Sequence, residues 1–266
     1  MKSMKDVRPI QMGLNSRFKF KCYPGISCFT ECCGRIDIAL TPYDIIRIKQ
    51  RLGLRSDEFL RTYTRREVDE KSGLPLVYLL MPAENNYKCA FVTPEGCTIY
   101  SDRPAACRYY PIGQATLQRE EGLEGIEEFY FLIKEPYCKG HQEDTEWTVA
   151  SWRVDQEPDL YDEMNREWKA MMLRRDSNAR QAIDEKKQQL FYLASYDLDN
   201  FRRFVFESRF LEIFDVDPQT QAAIREDDVA LMKFAFDYLK YLLVIEQSMK
   251  VKNQEQPAQP SAQGGA

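Results

Sequence analysis

The eight cysteines of this chain constrain its fold and function more than any other feature. All of them lie between Cys22 and Cys138 in a chain of 266 residues, and four fall within the short stretch Cys22–Cys33. Cysteines that serve as ordinary core residues would be scattered along the whole chain. The clustering leaves three interpretations: metal ligands, disulfide bonds, and buried thiols that act as small hydrophobic side chains. We favour metal ligands, on grounds of compartment and spacing.

Composition and charge predict a cytoplasmic protein. The formal net charge of −5 argues against a general nucleic-acid binder, which is usually basic. The N-terminus carries lysines but lacks the apolar segment of a secretory signal, and no apolar run approaches the length of a membrane span. We therefore expect neither a nucleic-acid nor a membrane partner. Cytoplasmic thiols are kept reduced, which weakens the case for disulfides, and thiols packed this densely would oxidise unless something occupied them.

The spacing of the cysteines suits thiolate ligands. Thiolates are soft donors that bind zinc and iron–sulfur clusters with a tetrahedral set of sulfurs around each metal. Because neighbouring side chains diverge, either only one of Cys32 and Cys33 binds a given metal, or the two bind different metals. This indicates a polynuclear site or a spare thiol. The candidate ligands are Cys28, Cys32, Cys97 and Cys107 first, followed by Cys33, Cys89, Cys138 and Cys22.

Two arginines flank one of these thiols. Arg103 and Arg108 lie on either side of Cys107, where they could lower thiolate pKa values or donate hydrogen bonds to the sulfurs of a bound cluster. They are therefore candidate cofactor-binding residues. A salt bridge with a nearby acid is the alternative for each of them.

Local patterns predict short helices and strands before a long helical part. Thr41-Pro42 begins a helix that ends at Gly53, since Thr caps, Pro suits the first helical position and Gly suits the end. A second short helix follows Ser56, and Leu76–Met81 and Phe129–Lys134 are strand candidates. Residues 64–75 look turn-rich. From about residue 158 the apolar spacing is that of amphipathic helices, including one that opens at Asp227-Asp228.

These patterns predict an α+β fold with a small cysteine-rich, metal-held core followed by an α-helical C-terminal part. We divide the chain into a metal-chelating domain at 18–150, a helical region at 155–250 packed on it, and a tail at 251–266. The tail is rich in Gln, Pro, Ala and Gly and is expected to be disordered. The residues before 18 are expected to form a poorly ordered arm.

Several motifs together resemble a known family. They are Cys28-x-x-x-Cys32-Cys33, Ile38-Ala39-Leu40-Thr41-Pro42-Tyr43-Asp44, Gly53-Leu54-x-x-x-Glu58-Phe59, Cys89-Ala90-Phe91, Cys97-Thr98-Ile99-Tyr100, Arg103-Pro104-x-x-Cys107-Arg108-x-Tyr110-Pro111 and Cys138-x-Gly140. In this order, over about residues 18–141, they resemble the YkgJ-type cysteine-cluster family. The resemblance implies a zinc- or iron-chelating domain. It also implies a relation to flagellin lysine N-methylases, some of which are thought to use an iron–sulfur cluster.

Three functions follow as hypotheses. The leading one is a metal-binding protein that chelates iron, preferably as a 4Fe–4S cluster, or zinc. The second is an iron–sulfur-dependent protein-lysine N-methyltransferase. The third is a zinc-stabilised interaction module with a protein partner, in which the metal only holds the fold together.

Overall fold

The computed structural model describes residues 11–118, 126–177 and 183–252. Ten α-helices lie in these ranges, and most of them follow residue 148. Their bounds are α1 Pro42–Leu52, α2 Ser56–Tyr63, α3 Ala105–Tyr109, α4 Val149–Gln156, α5 Asp159–Ser177, α6 Glu185–Tyr196, α7 Leu198–Glu207, α8 Phe210–Ile213, α9 Pro218–Glu226 and α10 Asp228–Leu242. The predicted α+β fold with a helical C-terminal part is confirmed.

Ten short strands form four small antiparallel sheets in the described part of the chain. Their bounds are β1 Gln11–Met12, β2 Arg17–Lys19, β3 Ala39–Leu40, β4 Thr64–Val68, β5 Pro75–Leu79, β6 Val92–Thr93, β7 Gly96–Cys97, β8 Ile112–Gln118, β9 Ile126–Leu132 and β10 Glu146–Thr148. The sheets have the strand orders β1-β9-β8, β10-β2, β3-β5-β4 and β6-β7. None of these sheets has more than three strands, so helices and loops supply the rest of the packing.

A single main core joins the helical C-terminal part to the cysteine-rich part. It collects buried side chains from α1, α2, β3 and β5 and from α5 to α10. Among its most buried members are Ile48, Phe59, Leu74, Phe191, Phe201, Leu231 and Leu239. Because the apolar faces of the C-terminal helices and of α1 and α2 cover one another, neither set is buried alone. A second core lies between β2, β8, β9 and α4 and contains Phe18, Phe20, Ile112, Tyr130, Val149 and Trp152.

A buried charge network reinforces the contact between the two parts. The Lys49 ammonium of α1 lies 3.0 Å from a carboxylate oxygen of Asp199 and 2.9 Å from one of Asp228. All three side chains are at most 14% exposed. Ser56, the first residue of α2, donates its backbone N–H to the same Asp199. The guanidinium of Arg202 pairs with both aspartates as well. These ion pairs and the hydrogen bond of Ser56 join α1 and α2 to α7 and α10.

Four local differences separate the fold from the sequence-based expectations. Residues 64–75 contain β4, which the sequence hides because it is an edge strand with charged side chains. Helix α9, which Asp217 caps by accepting from Thr220 N and in which Pro218 is the first residue, was not predicted. Strands β8 and β10 and helix α4 were not predicted. The arm before residue 18 contains β1, which pairs with β9.

The ends of the chain are described only in part. Residues 1–10 of the predicted arm lie outside the described residues, as do residues 253–266 of the predicted disordered tail. Val251 and Lys252 still contact the helical part, where Val251 bridges to Phe214 and Lys252 N donates to Ile213 O. Across the described ranges, every helix is too short or too polar to cross a membrane.

Candidate metal centre

Pairing of β2 with β10 brings the first cysteine loop to the segment that contains Cys138. The pairing continues past the strands, since Phe20 N donates to Thr145 O and Lys21 N to Gly140 O. Gly140 permits this close approach, because a Cβ atom there would lie 2.9 Å from Lys21 O and 2.7 Å from the Phe20 ring. The glycine of the Cys138-x-Gly140 motif therefore has a steric role. Cys22 and Cys138 adjoin as a result.

We call Cys22, Cys28, Cys32 and Cys138 the loop group. The backbone N of Lys139 donates to Cys28 Sγ at 3.2 Å, which places Cys28 against the Cys138 segment. Burial raises the pKa of the Cys22 thiol to about 11, and the neighbouring thiols of the group add to the effect. Thiols that raise one another's pKa lie within electrostatic reach. The four side chains therefore share one small region, in which Cys22 is exposed and the other three are half-buried.

We call Cys89, Cys97 and Cys107 the core group, because all three pack against the main core. Cys97 ends β7 and pairs across the hairpin with Val92, whose backbone N donates to Cys89 O. The pKa of each thiol of the group is raised, with burial as the largest cause. For Cys107, the neighbouring Cys89 and Cys97 thiols raise the pKa further. A half-buried set of three thiols thus forms beside α3.

Asp44 positions the short helix that carries Cys107. Its fully buried carboxylate accepts from Thr41 N at 2.8 Å, which completes the cap of α1, and from Ala105 N at 2.9 Å. One side chain therefore holds the beginnings of both α1 and α3. The helix dipole favours an acidic residue in the first turn of α1, whereas the contact of Asp44 with α3 is visible only in the structure.

Cys33 lies between the two groups. The neighbouring Cys33 side chain is the largest cause of the raised pKa of the Cys32 thiol. The carbonyl oxygen of Cys33 accepts from Cys89 N at 2.8 Å. Gly34 allows this contact, since a Cβ atom there would lie 2.9 Å from Tyr87 O. Cys33 thus follows Cys32 of the loop group in the chain and is joined to Cys89 of the core group by a backbone hydrogen bond.

The two arginines predicted to bind a cofactor have different surroundings. Arg103 is buried and donates to Tyr100 O and Gln156 Oε1, while its positive charge lowers the pKa of Cys97 and Cys107 against the larger effect of burial. Arg108 donates to the carbonyl oxygens of Arg103, Gln156 and Ser101 and to the hydroxyl of Tyr161. Arg103 therefore lies beside the core group. Arg108 contacts mainly backbone, and its contact with a cofactor stays a prediction.

Tyr110 is a polar residue that lies beside Cys138. Its hydroxyl is buried and makes no hydrogen bond of good geometry. Burial, followed by the adjacent Cys138 thiol, raises its pKa. Buried hydroxyl groups without a partner are uncommon in folded proteins. Its place after Cys107 in Cys107-Arg108-x-Tyr110-Pro111 is the only sequence signal that could have identified it.

The donor set fits a metal that prefers sulfur. All eight cysteines are free thiols, with no disulfide among them, and a protonated thiol must lose its proton to bind a metal. The raised pKa values of Cys22, Cys32, Cys89, Cys97 and Cys107 favour the protonated form of these five thiols in the absence of a metal. In the described residues, no three His, Cys, Asp or Glu side chains already converge as the ligands of one ion. Metal binding therefore requires both deprotonation and reorientation of the sulfurs.

Comparison with known proteins identifies the same part of the chain. Residues 21–139 match the model of the CxxCxxCC family, whose description reads "Putative zinc- or iron-chelating domain". The matched range contains all eight cysteines, Arg103 and Arg108, and it ends before the helical C-terminal part. Neither the curated proteins nor the solved structures gave a match to the chain.

Proposed function

We propose that this protein binds iron or zinc through the thiolates of its clustered cysteines. The observation that carries the proposal is that eight free thiols lie within residues 22–138, where the fold gathers them from separate segments of the chain into two neighbouring groups. Residues as far apart in sequence as Cys28 and Cys138 adjoin, within a range that matches a zinc- or iron-chelating domain. Thiolate ligands in this number bind soft or borderline metals rather than magnesium or calcium.

An iron–sulfur cluster, preferably 4Fe–4S, is the form that we infer. Its support is an all-sulfur donor set, together with a half-buried site in which Arg103 supplies positive charge beside Cys97 and Cys107. N–H donors and nearby charge tune the potential of such clusters. A bound cluster would supply redox or Lewis-acid chemistry, and the cysteines would hold it and limit its contact with solvent. The lysine N-methyltransferase alternative rests on the family resemblance alone.

Zinc is the second candidate, and the fold itself favours it. The cysteines lie in a loop, a hairpin, a short helix and a distant turn, and structural zinc joins such segments in small domains. In that case the metal would stabilise an interaction module. The surface would then take a protein partner, with no role for nucleic acid or membrane, in the reducing cytoplasm that free thiols require.

The deciding experiment is purification of the full chain without oxygen, followed by visible absorption spectroscopy and elemental analysis. Broad absorption from sulfur-to-iron charge transfer, with iron and acid-labile sulfide, supports the cluster. A colourless protein with stoichiometric zinc supports the structural role. Protein that contains neither metal and has all eight thiols open to a titrating reagent refutes the function.

We also propose that 18–150 and 155–250 act as one folding unit. The support is the main core, to which both ranges contribute buried side chains, and the Lys49 network that crosses between them.

A further inference from the structure

We propose that the cysteines form two separate four-thiolate centres that lie side by side. The first consists of the loop group, and the second consists of the core group together with Cys33. Their ligands are Cys22, Cys28, Cys32 and Cys138 in the first centre, and Cys33, Cys89, Cys97 and Cys107 in the second. This assignment rests on the proposed metal binding and adds the number of centres and the ligands of each.

The two groups have different supports in the fold. Cys89, Cys97 and Cys107 pack against the main core, whereas Cys138 packs against the second core with Tyr110. The loop group is held by the contact between Cys28 and the backbone of Lys139 and by the close approach at Gly140. The core group is held by the β6-β7 hairpin and the short helix α3. One compact centre with all eight sulfurs would have to pull these supports together.

Coordination number supports the same division. A zinc ion or a 4Fe–4S cluster takes four cysteine sulfurs, so one such centre would leave four reduced thiols without a role. The loop group supplies four thiols by itself. The core group supplies three, and Cys33 is the eighth cysteine, with its carbonyl oxygen bonded to Cys89 N at 2.8 Å. Each centre is then complete without a histidine or a carboxylate.

Cys32 and Cys33 are the point at which the centres meet. They are consecutive residues of the 3-10 turn Glu31–Cys33, in which successive side chains point about 120° apart. Two thiolates on adjacent residues repel each other, and this divergence lets each of them bind a metal of its own centre.

The two centres differ in access to solvent. Cys22 of the first centre is exposed and lies outside the helices and strands. All four thiols of the second centre are half-buried, and Cys107 lies within helix α3. A chelator should therefore remove metal from the first centre faster than from the second.

Cobalt(II) binding to the reduced full chain tests the assignment. The signal is the sulfur-to-cobalt charge-transfer absorption, measured during titration and again after addition of a chelator. We expect two cobalt ions per chain and two phases of metal loss. Cys22→Ser should lose one ion and the fast phase, whereas Cys97→Ser should lose one ion and the slow phase. Each variant serves as the control for the other, and circular dichroism checks that both are folded.

Several outcomes would overturn the two-centre assignment while leaving metal binding intact. One cobalt ion per wild-type chain is the first, and a single phase of chelation is the second. Loss of all cobalt in either folded variant is the third, because it indicates one polynuclear centre. If a variant does not fold, the wild-type stoichiometry and the number of phases still decide. Absence of any metal from both the native and the cobalt-treated protein would refute the proposed function itself.

Discussion

Replacement of Gly34 by alanine should loosen the contact that holds Cys33 against Cys89. The new Cβ atom would lie 2.9 Å from Tyr87 O and 3.3 Å from Lys88 Cα. Both atoms belong to the backbone, so the clash cannot be relieved by rotation of a flexible side chain. The neighbouring chain must therefore move away by a few tenths of an ångström. This movement stretches the hydrogen bonds from Cys89 N to Cys33 O and from Arg35 N to Tyr87 O, each of which is 2.8 Å long.

The expected cost follows from two opposing effects. Overpacking of this kind destabilises a protein by about 1–3 kcal/mol. The backbone of Gly34 is extended, with φ of −158°, so alanine adopts it freely and gains about 0.4–1 kcal/mol from a less flexible unfolded chain. The net loss is therefore about 1–2 kcal/mol. For a domain of this size, it should lower the melting temperature by roughly 2–8 °C, at about 2–4 °C per kcal/mol.

The assay compares thermal melts and metal content of the Gly34→Ala variant, the wild type and a matched control. Gly13→Ala is that control, because nothing lies within 4 Å of the position that its Cβ atom would occupy. The control should melt like the wild type. Under the two-centre assignment, Gly34→Ala should also weaken the slowly exchanging metal and spare the fast one. A Gly34→Ala melting temperature within the error of the control would show that the approach of the two segments does not constrain the fold.

Three further predictions concern the charge network, one ligand and the helical part. Lys49→Met should destabilise the protein by about 3 kcal/mol. This value is at the low end of the cost of breaking a buried ion pair, because Arg202 still pairs with Asp199 and Asp228. Arg203→Met, which removes an exposed ion pair, is the control and should change stability little. Burial raises the pKa of Asp199 and Asp228, but hydrogen bonds and the Lys49 charge outweigh burial and hold both pKa values below the ordinary value. The stabilisation from the charged aspartates is therefore present above about pH 4 and is lost as the pH falls through their lower pKa values in the folded state. Acid denaturation should thus begin at a higher pH in the Lys49→Met variant, and acid denaturation at the same pH in both proteins would contradict this. Cys97→Ser should lose metal and stability beyond the roughly 0.5 kcal/mol of a surface change, and full metal content with an unchanged melt would exclude Cys97 as a ligand. The isolated fragment 155–250 should lack a cooperative melt by circular dichroism, because its apolar faces are covered by α1 and α2 in the full chain; a cooperative melt would mean an independent domain.

Local signals in the sequence predicted the helices whose ends are marked by capping residues. Helix α1 begins and ends as expected, since Thr41 caps it, Pro42 occupies its first turn and Gly53 takes a left-handed φ of 66° after its last residue. The edge strand β4 escaped prediction, because an edge strand with exposed charged side chains lacks the alternating apolar pattern. Prediction thus succeeded where the residues that determine an element lie within or next to that element in the sequence.

The candidate site was predictable in its chemistry but not in its arrangement. Clustered cysteines, together with the cytoplasmic location expected from the sequence, point to metal whatever the fold, so the candidate ligands could be named from the sequence. The structure alone shows which thiols adjoin. It also distinguishes two arginines that look alike in sequence, since Arg103 lies beside the core group and Arg108 contacts mainly carbonyl oxygens.

The sequence by itself determined that this protein has a thiol-rich part followed by amphipathic helices, because composition and periodicity are properties of short windows of chain. Only the tertiary structure decided that the two parts share one core and that the thiols divide into two groups. Those outcomes depend on contacts between residues far apart in the chain. Lys49 meets Asp199 across 150 positions, and Cys28 meets the backbone of Lys139 across 111. No local pattern records such distances, because they are set by the pairing of β2 with β10 and the packing of α1 under the C-terminal helices.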